Sequence, residues 1–187
     1  ERLTALVPRG ARKLAAALLL LAPHTPLLFM GEEYDEEAPF QFFTDYGDPH
    51  LQKAVTEGRR KEFQEFTWDE VPDPQDPQTF ARSKLQWPVE SGSVDSGQKK
   101  DAHREMLEWY RKLIDLRRRY VAPGPRNCHA ELREGALVMQ VPAQEPRLLL
   151  IAEFPDSARG LEAPLTGWKL ALVADEDGYG VRVYEPV

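Results

Sequence analysis

The run Leu27-Leu28-Phe29-Met30-Gly31 is a short apolar sequence that ends in a glycine, and the fold class is predicted from it. Its residues do not alternate between apolar and polar, which is typical of a strand buried on both faces of a parallel sheet. A helix is predicted just before it, since apolar residues recur at helical spacing from Leu14 to Leu21, after Pro8 in the first turn and before Pro23. A helix followed by such a strand indicates an α/β fold.

The chain after this strand predicts a long active-face loop and a second helix. From 31 to about 98 acidic, aromatic and proline residues intermingle, with short helices predicted over 51–66 and 78–85. A firm helix is predicted from Asp101 to Tyr120, where Asp101 is a suitable N-cap. A single parallel strand needs neighbours that this chain does not contain. Residues 1–122 are therefore predicted to be the last, incomplete part of a (β/α)₈ barrel.

Beyond the Pro-Gly-Pro linker at 123–125 the hydrophobic period changes from helical spacing to two. Four strands are predicted, at 137–141, 148–152, 169–173 and 181–184. Asp175-Glu176-Asp177-Gly178 is predicted to be a hairpin turn in which Gly178 supplies a positive φ. Residues 126–187 are thus predicted to form a small antiparallel β-sandwich domain with its own core. The side chains expected to point inward are Leu137, Met139, Leu148, Leu150, Leu170, Leu172 and Val183.

Composition disfavours several classes of function. The net charge of −7 argues against binding to nucleic acid or to an anionic membrane. The longest apolar stretch, residues 14–22, is too short to span a bilayer. A single cysteine, Cys128, excludes an internal disulfide framework and indicates a reducing compartment, so a cytoplasmic protein is expected. The four histidines lack ligand spacing, and no metal site or cofactor is assigned.

The loop that opens at Gly31 is the densest group of chemically useful side chains. Carboxylates hydrogen-bond sugar hydroxyls and aromatic faces stack on pyranose rings, so this mixture predicts a glycan site. Glu33 has an alternative role in capping or orienting the barrel rim, and Phe43 has an alternative role in filling the core. Glu36 and Glu37 are interpreted as solvated charge. The candidate substrate-binding residues are Glu33, Phe43, Asp45 and Tyr46.

Four motifs carry a family resemblance over residues 1 to about 120. The run Thr25-Pro-Leu-Leu-Phe-Met-Gly-Glu-Glu-Tyr34 resembles the eighth barrel strand of the α-amylase clan, where Gly-x-Glu closes the strand. More specific are Pro39-Phe-Gln-Phe-Phe-Thr-Asp-Tyr46, Glu57-Gly-Arg-Arg-Lys-Glu-Phe63 and Thr79-Phe-Ala-Arg-Ser-Lys-Leu85. Together they resemble the malto-oligosyltrehalose trehalohydrolases.

The resemblance implies the C-terminal part of a retaining glycoside hydrolase. This family hydrolyses the α-1,4 bond next to the terminal trehalose of malto-oligosyl-trehalose, using carboxylates on barrel strands four, five and seven. Glu1 falls shortly after the strand-seven motif, so no catalytic residue is expected in this chain. The missing N-terminal part of the enzyme is then its partner, and the chain alone is expected to be inactive. Two alternatives remain open: a glycogen-branching glucan transferase of the same clan, and a non-catalytic carbohydrate-binding module.

Overall fold

Helices occupy the first two thirds of the chain, and an antiparallel sheet occupies the last third. The computed structural model describes residues 1–63, 71–87, 97–157, 160–161 and 166–187. The helices are α1 (Leu3–Leu6), α2 (Arg9–Leu21), α3 (Pro49–Glu62), α4 (Pro77–Ser83) and α5 (Gly97–Leu116), with a 3-10 turn at Glu32–Tyr34 and a π-helical turn at Arg117–Val121. The strands are β1 (His129–Arg133), β2 (Ala136–Val141), β3 (Leu148–Glu153), β4 (Trp168–Glu176) and β5 (Tyr179–Pro186).

The predicted helices are found, with shifted ends. Pro8 is the N-cap of α2, which ends at Leu21, directly before the predicted stop. Helix α5 begins at Gly97, earlier than the predicted N-cap, and continues into the π-helical turn. The helix predicted over 51–66 is α3, and positions 64–66 lie outside the described residues. Within the described ranges, no helix is long and apolar enough to cross a bilayer.

The C-terminal strands form one sheet in the order β1-β2-β3-β5-β4, with every neighbouring pair antiparallel. The prediction of a β-sandwich is therefore wrong. The described residues form one five-stranded sheet, and the second layer is helical. Helices α2 and α5 cover one face of this sheet because their apolar sides share a core with it. The predicted hairpin turn is confirmed at Asp177 (φ 53°) and Gly178 (φ 83°), whereas Asp175 and Glu176 belong to β4.

The sheet buries apolar side chains on both faces. Its inner face joins α2 and α5 in one core that includes Leu14, Leu113, Leu150 and Val183. A second, smaller cluster lies on the outer face and consists of Ala136, Val138, Leu149 and Ile151, packed with Leu161, Trp168 and Tyr184. The sheet thus shares its main core with the helices and keeps only the small outer cluster to itself.

The prediction that Leu170 points inward is wrong. It is 50% exposed, whereas Leu172 is 7% exposed. The register shifts between these two residues, so that Leu170 pairs with Tyr184 and Leu172 pairs with Val183. A β-bulge breaks the period-two rule at this point, and the strand no longer places alternate residues on one face.

The predicted buried strand at Leu27–Met30 is not formed in this chain. The run has no assigned strand structure, and Leu27 is 88% exposed. Phe29 and Met30 are 40% and 49% exposed. A parallel strand is held by neighbours on both sides, and no strand among the described residues pairs with this run. The result is an extended apolar segment facing solvent.

A charge cluster joins the start of α2 to α5 and to the end of β4. Lys13 is 6% exposed and its ammonium lies 2.7 Å from a carboxylate oxygen of Glu105 and 2.7 Å from one of Glu176. Arg9 adds contacts to both of these carboxylates and to Asp35. The hydrogen bonds from Lys13 and then Arg9 lower the pKa of Glu105.

This lowered pKa predicts a pH dependence of stability. A carboxyl group with a depressed folded-state pKa stabilises the fold above its unfolded-state value, about 4.3 for Glu, and loses that contribution as pH falls through the folded-state pKa. Glu105→Gln should therefore lower the free energy of unfolding at neutral pH, and its difference from wild type should shrink toward zero at acid pH. Denaturant unfolding at both pH values measures this. Glu108→Gln on the same helix is the control, and a Glu105→Gln difference that does not change with pH would contradict the assignment.

Gly10 lies where α2 packs tightly against the β4–β5 hairpin. A Cβ at this position would lie 2.0 Å from the carbonyl oxygen of Glu176, and the Gly10 amide donates to Asp177 Oδ2 at 3.1 Å. Alanine normally stabilises a helix by about 1 kcal/mol relative to glycine. Here the overlap is with backbone, so Gly10→Ala should instead destabilise the chain by about 1–3 kcal/mol.

Gly58 in α3 is the matched control for this substitution. A Cβ at Gly58 would meet nothing within 4 Å. Gly58→Ala should leave the free energy of unfolding unchanged or raise it by up to about 1 kcal/mol. Denaturant titration of both variants gives the comparison. Two substitutions that change stability in the same direction would show that the hairpin does not press against α2 at Gly10.

Candidate functional site

A tight turn follows the exposed apolar segment and opens the candidate site. Gly31 has φ 92° and Asp35 has φ 59°, on either side of the 3-10 turn. A Cβ at Gly31 would lie 2.6 Å from Cβ of Glu36, so the turn requires glycine there. The Gly31 amide donates to Glu33 Oε2 at 2.9 Å. Glu33 thus contacts the backbone of the turn, and its contact with substrate stays a prediction.

The prediction that Glu36 is a solvated charge is wrong, because its side chain is only 3% exposed. Its Oε1 accepts from the Ala38 amide at 2.8 Å. Its Oε2 accepts from the Tyr34 hydroxyl at 3.0 Å and from the Gln86 amide at 2.6 Å. Burial, followed by the hydrogen bond to Glu36, raises the pKa of Tyr34, so its hydroxyl stays a donor at neutral pH. A fully bonded, buried carboxylate of this kind has a structural role.

Two further contacts hold the turn against the N-terminal helices. Asp35, 7% exposed, accepts from Arg12 Nε at 2.8 Å and from Arg9 Nε at 3.2 Å. Arg2, 6% exposed, donates to the carbonyl oxygens of Met30, at 2.7 Å, and Ala38. The turn is therefore pinned at both ends by arginines from α2 and from the residue before α1.

The aromatic part of the site forms a row of rings. Phe29 lies 5.5 Å from Phe40, Phe40 lies 6.1 Å from Phe43, and Phe43 lies 5.0 Å from Phe80, measured between ring centroids. All three pairs meet edge to face. Phe43 is half-buried within this row, and the neighbouring rings of Phe40 and Phe80 are each 46% exposed. Its stacking on a sugar stays a prediction.

Asp45 and Tyr46 lie exposed at the far end of the same segment. The backbone next to them is supported from behind: the Thr44 amide donates to the Pro74 carbonyl at 2.8 Å, and the Tyr46 amide donates to Gln75 Oε1 at 3.4 Å. Both side chains are free of the core and can reach a ligand.

A cleft lies beside the turn, between it and the N-terminal helices. It has a volume of about 350 Å³ and combines exposed apolar residues, among them Leu6, Leu27 and Phe29, with Arg12 and Glu32. None of the four candidate substrate-binding residues lines it. Of the four, Glu33 lies in the turn, Phe43 lies in the row of rings, and Asp45 and Tyr46 lie exposed beyond it. Among the described residues, no three His, Cys, Asp or Glu side chains are grouped to hold a metal ion.

Sequence reasoning missed the residues that build the loop, namely Arg2, Glu36 and Gln86. Their contacts join positions 28 to 50 residues apart, as in the Arg2–Met30 and Glu36–Gln86 hydrogen bonds. The only local signal was the density of acidic residues after Gly31, which does not distinguish a buried carboxylate from a solvated one.

Comparison with solved structures indicates the class of protein. A crystal structure assigned to an α-amylase from Salmonella typhimurium superposes with a TM-score of 0.69 at 31% identity, covering 98% of this chain and 32% of that one. The chain thus resembles part of an α-amylase-type glycoside hydrolase. No family model matches it.

Comparison of sequences then finds similarity to malto-oligosyltrehalose trehalohydrolases. The enzyme of Rhizobium sp. strain M-11 is 51% identical over 120 residues, 63% of this chain and 19% of the relative. Those of Arthrobacter ramosus and Saccharolobus solfataricus are 45% identical over 127 residues (67% and 21%) and 42% identical over 120 residues (64% and 18%). The chain spans about a fifth of the length of these relatives. The resemblance inferred from the sequence motifs is confirmed.

Proposed function

We propose that this chain is the C-terminal part of an enzyme that hydrolyses the α-1,4 bond next to the terminal trehalose of malto-oligosyl-trehalose and releases trehalose. The observation that carries the proposal is identity of 42–51% with trehalohydrolases over about 120 residues. The acidic and aromatic loop after Gly31 supports it, because such side chains suit a carbohydrate ligand.

The preceding part of the enzyme supplies the catalytic carboxylates and the rest of a (β/α)₈ barrel. Support comes from Leu27–Met30, which is exposed here and would become the eighth barrel strand once neighbours pair with it. Leu6 and Leu27 face the adjoining cleft and are 59% and 88% exposed. An apolar surface of this kind needs a covering partner. Residues 1–122 and 126–187 would then be the barrel end and the C-terminal β domain.

Hydrolysis follows the retaining mechanism of this enzyme class. One carboxylate attacks the anomeric carbon while a protonated carboxyl group transfers its proton to the leaving oxygen. Both groups come from the preceding strands. In this chain Glu33, Phe43, Asp45 and Tyr46 hold the trehalose end of the substrate, since they follow the eighth strand at the active face of the barrel.

Two other functions are weaker. A glycogen-branching transferase of the same clan would share the Gly-Glu-Glu turn, but the names of the relatives favour the hydrolase. A non-catalytic carbohydrate-binding module would account for the exposed aromatic residues, but it gives no reason for an unpaired apolar segment at Leu27–Met30.

The test is product analysis with the full-length enzyme. Incubation with malto-oligosyl-trehalose should yield free trehalose and the shortened malto-oligosaccharide. A branched glucan product with no trehalose would assign the transferase. Binding without any product would assign the binding module.

A further inference from the structure

We propose that Glu36 is a positioning residue that fixes the segment carrying Phe43, Asp45 and Tyr46; this inference rests on the proposed function. The segment concerned, residues 38–46, is called the site segment here. Residues 74–86, which run back past it, are called the return segment. Glu36 lies at the point where the two segments meet, and it makes the first of several polar contacts between them.

These contacts follow one another along the two segments in antiparallel order. Glu36 accepts from the Gln86 amide at 2.6 Å, and Ser83 Oγ accepts from the Gln41 amide at 3.0 Å. Further along, Thr44 meets Pro74 and Gln75: its amide donates to the Pro74 carbonyl at 2.8 Å, and its hydroxyl accepts from the Gln75 side chain at 2.5 Å. The register of the site segment is therefore set by the return segment, beginning at Glu36.

The chemistry of Glu36 explains why a carboxylate is needed there. One oxygen accepts from the Ala38 amide and the other accepts from the Gln86 amide, so both oxygens face backbone N–H donors. A glutamine has one carbonyl oxygen and one NH₂ group, and whichever way it lies one amide donor faces another donor. Because the side chain is 3% exposed, water does not replace the lost acceptor.

Glu36 affects the reaction only through the residues that it positions. This predicts how KM and kcat change when Glu36 is substituted. Its carboxylate is already occupied by the Ala38 and Gln86 amides and by the Tyr34 hydroxyl, so it has no part in proton transfer. Misplacing Asp45 and Tyr46 weakens binding of the substrate in ground state and transition state alike. A loss of uniform binding raises KM and leaves kcat unchanged.

The experiment compares Glu36→Gln with Glu37→Gln in the full-length enzyme, using steady-state kinetics on malto-oligosyl-trehalose. Glu37 is the exposed neighbour and serves as the matched control. Glu36→Gln should raise KM about tenfold, the size expected for one lost hydrogen bond to a charged group, with kcat within about twofold of wild type. Glu37→Gln should leave both constants at wild-type values.

If Glu36→Gln does not fold, Ser83→Ala takes its place, because it removes the next contact along the same segments and leaves Glu36 intact. Ser83→Ala should also raise KM, by a smaller factor than that expected for Glu36→Gln. A wild-type KM in the folded variant, or a fall in kcat with KM unchanged, overturns the positioning role. The wild-type enzyme tests the proposed function separately, because that function fails if the wild type releases no trehalose. In that case the ratio of KM between Glu36→Gln and wild type, measured on the α-glucan that the enzyme does cleave, still decides the role of Glu36.

Discussion

Incubated alone with malto-oligosyl-trehalose, the 187-residue chain is expected to release no trehalose. Retaining hydrolysis requires a nucleophile and a proton donor about 5–5.5 Å apart, held rigidly on neighbouring strand ends. Three acidic residues of the turn after Gly31 are already engaged: Glu33 accepts from the Gly31 amide, Asp35 pairs with Arg9 and Arg12, and Glu36 is fully hydrogen-bonded. None of them is arranged as an acid and nucleophile pair.

The measurement is a trehalose assay on the purified chain, before and after addition of the separately prepared preceding part of the enzyme. Activity should appear only with both parts present. A Glu33→Gln version of the chain is the control for an improvised site. Turnover by the isolated chain that disappears in Glu33→Gln would place a catalytic group in this loop and would contradict the assignment of the carboxylates to the preceding strands.

Asp45→Ala in the full-length enzyme should reduce kcat/KM by about 10- to 150-fold, because a hydrogen bond from a charged group to a substrate hydroxyl contributes about 1.5–3 kcal/mol. Asp45 is exposed at the end of a segment whose backbone is held by Pro74 and Gln75, so it is fixed in place yet free to meet a ligand. Steady-state kinetics on malto-oligosyl-trehalose gives the value.

Asp101→Ala is the matched control for this substitution, since Asp101 is an exposed aspartate on α5 with only an exposed partner, Arg104, at 3.7 Å. It should leave kcat/KM unchanged. A value for Asp45→Ala within about twofold of wild type, far below the energy of such a hydrogen bond, would show that Asp45 is only structural.

The sequence predicted the helices and strands that are determined by hydrophobic spacing and turn residues within the element itself. Helical spacing located α2 and α5, and alternation with turn residues located β2 to β5. Strand β1, His129–Arg133, was missed because its side chains are mostly exposed and leave no apolar pattern. Leu170 was misplaced because a bulge shifts the register without a mark in the sequence.

What could not be predicted depends on distant partners. Glu36 appears in the sequence as one of several neighbouring acidic residues, and its burial depends on Gln86, fifty positions away. Lys13 is buried because Glu105 and Glu176 meet it from two other elements. The Leu27–Met30 run has the pattern of a buried strand, yet burial needs neighbouring strands, and the part of the chain that the structure describes pairs none with it.

The shared core of the helices and the sheet has a consequence for enzyme engineering. Leu14 and Leu113 from the helices pack in the same cluster as Leu150 and Val183 from the sheet. A chimera that exchanged only residues 126–187 between two enzymes would join halves of two different cores and would have to match side-chain shapes across the junction. Crossover points placed before α2 would transfer the helices together with the sheet and keep one intact packing unit.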